Sequence, residues 1–498
     1  MTTQGSRPRI AVAAVAVLAA AAPLATADPE VSATTPVSRP PLETAAQPAP
    51  APVERKAERA LTAADVAGAP VPGDESGRID PDGGDSVMRR GLRGALFVPR
   101  VAVDVALSPL RLTAWAYDRY HLDELYYRVF FNDARTIGLI PTASFDSGFG
   151  VSAGARLVDR DLLGAREHLS IEAKAGGRYS QVYKAQAHSG DRLGDRLGVE
   201  LDGQYEQRPK DPFYGIGDND VSAAPSAPVD PAMSTASVDT RYRERIARIA
   251  GVIDLRVIDR FHLRSASELT DRTFAESDAS LGVPIGQVYD PAMLVGWGGV
   301  RYAYSELELR FDSRGRANDF EPEPFYSAGS LAAVFGGRVH RLDHAPDYWR
   351  YGIDLQHFLR LDDGPRVLAL RLRGEAVSGT RAEVPFTELP QLGGADDLRG
   401  YTTDQFRDRV LTIGSVEYEW DLSSLLSASL FVDAGRVFGS LDDFGVGHMR
   451  VGYGVSLGGH TEHIFGFRGS LASSIDGGLF LNLSFNQVFA LDERVRRR

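Results

Sequence analysis

From Thr136 onward, apolar and polar residues alternate at every second position in one stretch after another. In residues 450–458, large apolar side chains fall on one face, and small or charged residues fall on the other. Residues 301–312 repeat the pattern, with Leu307 and Leu309 opposite acidic and basic side chains. A period of two predicts β-strands, each with an apolar face and a face that carries charges of both signs.

Sixteen such stretches follow one another within residues 133–489. They lie near 136–145, 149–159, 168–179, 181–188, 196–207, 242–258, 261–273, 301–312, 327–340, 348–361, 366–377, 409–421, 427–438, 449–459, 464–473 and 478–489. An even number of strands of about ten residues is typical of a transmembrane β-barrel with a wet lumen. The sequence therefore predicts an all-β fold, a 16-stranded antiparallel transmembrane β-barrel over residues 133–489. The alternative is a soluble sandwich, in which the apolar faces of two sheets pack together.

Residues 1–27 have the pattern of an export signal. Arg7 and Arg9 precede an apolar run, and Ala25 and Ala27 supply the small residues of a cleavage site. A membrane anchor is the other interpretation, but the apolar run is short for a spanning helix. An exported chain of half-apolar strands favours the membrane barrel over the sandwich.

The segments next to the predicted barrel differ in composition. Residues 28–85 are rich in Pro, Ala and Thr, which predicts a disordered linker. Residues 86–132 are predicted to form an amphipathic helical segment, which either plugs the pore or lies on the membrane. One helical face there carries Leu122, Leu125, Tyr126 and Val129. Residues 490–498 form a basic tail, whose role the sequence leaves open.

The composition excludes several classes of protein. Lys and Arg number 55 against 67 Asp and Glu, a net charge of −12 that argues against a nucleic-acid partner. The absence of Cys excludes disulfides and a cysteine nucleophile, and the mean hydropathy of −0.19 excludes a bundle of membrane helices. The chain lacks the common catalytic and nucleotide-binding motifs. We therefore expect no enzymatic activity, no catalytic residue, no metal and no cofactor.

Two short motifs in the second half of the chain carry a family resemblance. The first lies in the long loop 378–407 and consists of Leu398, Arg399, Gly400 and Tyr401. The second, on a predicted strand, places Phe431, Asp433 and Gly435 on one face. Together they resemble the signatures of the BamA/TamA-type outer-membrane assembly proteins, also called bacterial surface antigens. The resemblance implies that the loop folds back into the barrel and that Arg399 pairs with Asp433.

Other parts of the chain either extend this resemblance or depart from it. The stretch 212–217, Pro-Phe-Tyr-Gly-Ile-Gly, also looks like a family feature. The last predicted strand, 478–489, resembles the terminal β-signal of the family through Leu483, Phe485 and Phe489. However, residues 28–132 lack the pattern of the periplasmic POTRA domains that receive substrates in such proteins, so the chain looks like a POTRA-less member.

The resemblance implies a location in the bacterial outer membrane and a role in inserting or translocating proteins there. In the family, a weak lateral seam between the first and last strands offers open edges to an incoming strand, which here implies residues 136–145 and 478–489. The implied partners are outer-membrane lipid, unfolded outer-membrane proteins and a separate periplasmic protein that replaces the POTRA domains. The alternative function is a passive or substrate-selective pore, which the mixed-charge lumen would suit.

Overall fold

The computed structural model describes residues 122–146, 150–177, 180–316, 325–361, 366–423, 426–460, 465–484 and 488–489. The predicted export signal, the linker 28–85, most of the helical segment 86–132 and the basic tail 490–498 lie outside these residues, as does Phe485. Expectations about these parts, including the lack of POTRA domains, therefore remain predictions. Within the described residues, no helix has both the length and the hydrophobicity needed to cross a membrane.

Sixteen strands form one antiparallel sheet in chain order, as the alternation predicts. The helix α1 spans Leu122–Phe130, and the strands that follow are β1 (Ile137–Asp146), β2 (Gly150–Asp159), β3 (His168–Gly176), β4 (Gln181–His188), β5 (Leu197–Phe213), β6 (Thr240–Ile258), β7 (Phe261–Glu276), β8 (Val300–Asp312), β9 (Gly329–Arg341), β10 (Tyr348–Arg360), β11 (Arg366–Val377), β12 (Gln391–Leu392), β13 (Phe406–Arg407), β14 (Val410–Ser423), β15 (Leu426–Phe438), β16 (Arg450–His460), β17 (Phe465–Ser474) and β18 (Leu479–Ser484). The two-residue strands β12 and β13 pair with each other outside the main sheet.

The two faces of the sheet differ in polarity as the sequence predicts. On β8, Leu307 and Leu309 are more than half exposed, whereas Glu306 and Glu308, which alternate with them, are buried. We call the side with the exposed apolar residues the outer face and the side with the buried polar residues the inner face. An apolar surface of this extent is stable against lipid or against another apolar surface, and not against water.

The strands end at two rims with different connections. Long loops at residues 214–239, 277–299 and 378–409 lie at one rim, which we call the loop rim. Short turns such as 189–196 and 259–260 lie at the opposite, turn rim. In outer-membrane barrels the long loops are extracellular, and the short turns are on the periplasmic side.

The helix α1 lies at the turn rim against the inner face of β1. Phe131 forms a bridge to Gly138, and its ring occupies the inner side, where a Cβ on Gly138 would come within 2.7 Å of it. Arg160, in the turn after β2, donates to the Tyr127 hydroxyl at 3.4 Å. The described end of the predicted helical segment therefore lies at the mouth of the inner face and not on the outer face.

The sheet has two unpaired long edges within the described residues. There β1 pairs only with β2, and β18 pairs only with β17. Of the predicted last strand, 478–489, the structure describes β18 over Leu479–Ser484, and residues 485–487 lie outside the described residues. Phe489, the predicted end of that strand, instead lies in a turn with a φ of +53° and is buried on the inner face against Phe358, with ring centroids 6.2 Å apart.

Candidate functional site

The loop between β11 and β14 folds onto the inner face of β14 and β15. It is held by an apolar cluster made of Leu392, Leu398, Tyr401, Phe406, Leu411, Ile413 and Val437. Leu398 has no exposed surface, and the hairpin of β12 and β13 closes the base of the loop. Burial of these side chains holds the backbone of the motif against the wall, as the resemblance implies.

Arg399 lies on Asp433 in a bidentate ion pair. Its Nε donates to Oδ2 at 2.7 Å, and its Nη2 donates to Oδ1 at 2.8 Å. The backbone N–H of Arg399 donates to the same carboxylate at 3.1 Å. Both side chains are buried, so the pair has the planar geometry in which Arg and carboxylate bind most strongly.

A second carboxylate, that of Glu417 on the inner face of β14, completes the site. Arg399 Nη1 donates to Glu417 Oε2 at 2.7 Å. Glu417 also accepts from Ser429 at 2.6 Å and from Arg468 at 3.2 Å. Burial alone would lower the pKa of Arg399, but the carboxylates of Glu417 and Asp433 outweigh it and raise the pKa, so the guanidinium stays charged.

The strand motif supplies a stacking surface as well as a carboxylate. Phe431 and Asp433 share the inner face of β15, and the guanidinium carbon of Arg399 lies 3.5 Å from the centre of the Phe431 ring. Gly435 follows on the same face, where a Cβ would come within 2.9 Å of Leu392. Asp433 thus binds the guanidinium group of Arg399, Phe431 stacks on it, and Gly435 leaves room for the loop.

Two glycines allow the loop backbone to approach the wall closely. Gly400 has a φ of +94°, and a Cβ there would overlap the carbonyl oxygen of Ser473. On β16, a Cβ on Gly452 would overlap the carbonyl oxygen of Arg399. The sequence shows Gly452 only as an inward-facing residue of its strand, so its role becomes visible only once the loop is docked.

The last motif residue, Tyr401, connects the loop to a polar network at the loop rim. Its hydroxyl donates to Asp476 at 2.8 Å, and Asp476 also accepts from Arg450 at 2.9 Å. Arg450 donates in turn to Asp218 at 3.1 Å, and Arg436 contacts the same carboxylate at 3.2 Å. Asp218 follows β5, so this network connects β5 with β15 and β16.

The Pro-Phe-Tyr-Gly-Ile-Gly stretch carries Asp218 to that position. Gly215 and Gly217 have φ angles of +96° and +116°, which other residues rarely adopt. The N–H of Gly217 donates to the carbonyl of Arg407 at 2.8 Å. We call residues 214–220 the strap, since they connect the end of β5 to the docked loop and to β16.

The long loops of the loop rim also pack around an aromatic core on β5–β8. Its rings include Phe213, Tyr242, Tyr289, Trp297 and Phe386. Burial raises the pKa of Tyr289 to about 12, so its hydroxyl stays neutral and donates to the carbonyl of Ala236. We call the strap together with these packed loops the cap.

A cavity of about 270 Å³ lies between the docked loop and the inner face. Its arginines include Arg248, Arg272, Arg350, Arg371, Arg373 and Arg468, and its acidic residues include Glu268, Glu375, Glu388, Asp397, Asp404 and Glu417. The charges nearly balance, which suits a hydrated chamber more than a site for one ion. Nowhere in the described ranges do three His, Asp or Glu residues group as metal ligands would.

The residues of the predicted terminal signal are separated in the structure. Leu483 is exposed on the outer face of β18, as expected of a lipid-facing strand. Phe489 lies on the inner face, 5.8 Å from the guanidinium carbon of Arg371. Phe485 lies outside the described residues. The expectation that the three side chains share one strand face is therefore wrong for Phe489.

In comparisons with known proteins, the second half of the sheet matches a family domain. Residues 298–475 match the Omp85 superfamily domain, and this range contains the loop motif and the strand motif. The structure of BamA from Haemophilus ducreyi lacking POTRA domains 1–3 is 15% identical, with a TM-score of 0.50 over 70% of this chain and 69% of that chain. CdiB from Escherichia coli is 10% identical, with a TM-score of 0.43 over 70% of this chain and 60% of that one. No curated protein sequence matches the chain.

Proposed function

We propose, on the premise that this chain is a member of the Omp85 superfamily and lies in the bacterial outer membrane, that it assists the insertion or translocation of other proteins there through a lateral seam between β1 and β18. We define the seam as the place where β1 and β18 meet when the sheet closes into a barrel. The proposal includes no enzymatic step, no cofactor and no metal.

The observation that carries the proposal is the state of the two terminal strands. Each has a hydrogen-bonded partner on one side only within the described residues. A strand with an open edge can pair with an incoming strand, which is how β-augmentation works. A closed barrel has no such edge, so the weak seam is what distinguishes this arrangement from a simple pore.

The docked loop supports the strands next to the seam. Arg399 contacts β14 and β15 through Glu417 and Asp433, and Gly400 lies against Ser473 on β17. Because β17 is the only partner of β18 in the described part of the chain, the loop fixes the last well-supported strand before the seam. We propose that this lets the seam open without distorting the rest of the sheet.

Disulfide cross-linking tests the seam, since the natural chain has no Cys. Leu139→Cys with Leu481→Cys places one thiol on the outer face of each of β1 and β18, and a disulfide between them forms only where the two strands meet. The matched control, Leu471→Cys with Leu481→Cys, joins register partners on β17 and β18, so it shares one substitution and leaves the seam free. The assay is the insertion of an unfolded porin into vesicles that contain the purified full chain, measured by protease protection.

We expect the cross-link between β1 and β18 to abolish insertion and a reductant to restore it, while the control pair stays active. If insertion continues with the seam fully cross-linked, the proposed mechanism is wrong. If the wild-type chain conducts ions but never inserts the porin, the pore alternative replaces the proposal. If insertion needs an added periplasmic extract, a separate partner takes the place of the POTRA domains.

A further inference from the structure

The polarity of the outer face changes abruptly along β6. From Val257 to Ala247, the outward residues are apolar or glycine, and Ile249 is 56% exposed. The next two outward residues toward the loop rim are Arg245 and Arg243, both exposed. The inner face shows no such change, because buried charged residues (Arg248, Glu244) and buried apolar residues (Ile246, Ala250) alternate along it. The outer face therefore leaves the hydrocarbon between Ala247 and Arg245.

The length of the apolar stretch agrees with this boundary. Ten residue steps separate Ala247 from Val257, which is about 34 Å along a strand and about 26 Å across a membrane at a tilt of about 40°. The apolar band of outer-membrane barrels is about 25 Å tall. Arg245 and Arg243 consequently lie at the height of the lipid headgroups, on the side of the extracellular loops.

The two arginines lack the carboxylate partners that other outer-face cations have. Arg301 on β8 binds Asp271 at 2.6 Å, and Arg338 on β9 binds Asp347 at 2.8 Å. By contrast, Arg243 and Arg245 form no ion pair with any residue of the described ranges. Their register neighbours on β7 are Ala275 and Thr273, which carry no charge.

Neighbouring strands extend this basic surface and mark it as interfacial. Across β8 and β9, the outer face near the same rim carries Arg301, Arg338 and His340, all exposed. On β10, Trp349 and Tyr351 are exposed on the outer face next to them, as aromatic residues are at membrane interfaces. A cation at this depth that no carboxylate neutralises is suited to a phosphate group.

We propose that Arg243 and Arg245 form the centre of a binding site for the phosphate-bearing headgroup of an outer-leaflet lipid. The acyl chains of that lipid would cover Ala247 and Ile249 below, and its phosphate would accept from the two guanidinium groups. The site on β6 is five strands from β1 in the sheet, so it is separate from the proposed insertion mechanism.

Native mass spectrometry of the full chain in a neutral detergent tests the site, with lipid A as the probe and the same lipid stripped of its phosphates as the reference. The test variant is Arg243→Gln with Arg245→Gln. The matched control is Arg196→Gln with Arg260→Gln, which removes two exposed arginines from turns at the opposite rim. Heat-modifiable migration in gels establishes that each variant is folded.

We expect the test variant to bind lipid A about 10- to 30-fold more weakly than wild type, in proportion to two lost cations near a charged surface. The control should bind as wild type does, and the phosphate-free lipid should bind wild type and test variant equally. An unchanged affinity in a folded test variant overturns the site. An equal loss in the control shows a general charge effect and overturns it as well.

Discussion

At the scale of single residues, Arg399 supports the docked loop by contacting two carboxylates at once. Asp433 has no exposed surface, and Glu417 is almost as buried. A buried charge that loses its partner is costly, because neither water nor a counterion replaces the lost interaction. The three charges therefore stabilise the loop as a unit, and single substitutions should not be additive.

We predict that Arg399→Ala lowers the free energy of unfolding by roughly 3–5 kcal/mol, because it leaves the buried Asp433 without its guanidinium partner, while Glu417 keeps only Arg468 as a cationic partner. Asp433→Ala should cost less, since Arg399 keeps Glu417. The double variant should be less destabilised than the sum of the two. Denaturant titration of the purified protein in detergent measures each value.

The exposed pair of Arg338 and Asp347 provides the control for this cycle, because exposed ion pairs contribute about 0–1 kcal/mol. Alanine substitutions at that pair should add nearly independently. Strict additivity at Arg399 and Asp433 would mean that their contact contributes nothing beyond the separate side chains.

A second prediction concerns the close approach at β16. Gly452→Ala should prevent the loop from docking, because the new Cβ would overlap the carbonyl oxygen of Arg399. Gly469→Ala on β17 is the control, since a Cβ there meets nothing within 4 Å. Limited proteolysis at the loop should be faster in the first variant only. Equal protection of the loop from protease in both variants would show that β16 or the loop shifts enough to accommodate a Cβ at Gly452.

At the scale of elements, the turn between β2 and β3 is organised by one carboxylate. Glu167 accepts from the backbone N–H groups of Leu163 and Ala165 and from Arg192. Burial opposes ionisation, but these hydrogen bonds lower the pKa of Glu167 to about 2. Because the pKa is lower in the folded protein than in the unfolded chain, ionised Glu167 stabilises the fold above the unfolded pKa of about 4.3.

We predict that Glu167→Gln is less stable than wild type at neutral pH. The difference should shrink as the pH falls below the unfolded pKa, and it should be lost as the pH passes about 2. Thermal unfolding followed by circular dichroism at several pH values measures it. A difference that stays constant over this range would contradict the role of the ionised carboxylate.

The elements also show what the sequence could and could not predict. Period-two alternation predicted all sixteen strands of the sheet, because each strand has an apolar outer face and a largely polar inner face. Arg399 and Asp433 were predicted as a pair only through the motif resemblance. Glu417 was not linked to them, since nothing local in a strand reveals which loop will cover it.

The position of Phe489 was predicted wrongly for a similar reason. An aromatic residue after a regular alternation is equally compatible with the next strand position and with a pocket elsewhere. Phe489 takes the pocket formed by Phe358 and Ala369, a contact that spans more than a hundred residues of sequence. Such tertiary contacts override local alternation where a strand has few partners to hold it in register.

At the scale of the whole molecule, the cap closes the loop rim in two different ways. On the side of β5–β8 it packs through aromatic rings, whereas toward β15 and β16 the strap contributes ionic contacts from Asp218 and Asp220. We predict that Asp218→Asn raises the ion conductance of the protein in planar bilayers, because the strap loses its charged contact with Arg436 and keeps only that of Asp220 with Arg450.

The control for this prediction is Asp271→Asn, which removes a carboxylate from an outer-face ion pair near the same rim. It should leave the conductance unchanged. Equal conductance in wild type, test variant and control would show that the strap does not restrict the movement of ions through the protein.

The unequal attachment of the cap has a mechanical consequence. Stacked rings resist shear at any ionic strength, while salt screens charge pairs that reach the solvent. Concentrated salt should therefore loosen the strap first and leave the aromatic side as a hinge. A force that pulled on the cap would rotate it away from β16 about the aromatic side. The docked loop beneath the cap would then be exposed to solvent before any two strands of the sheet had separated.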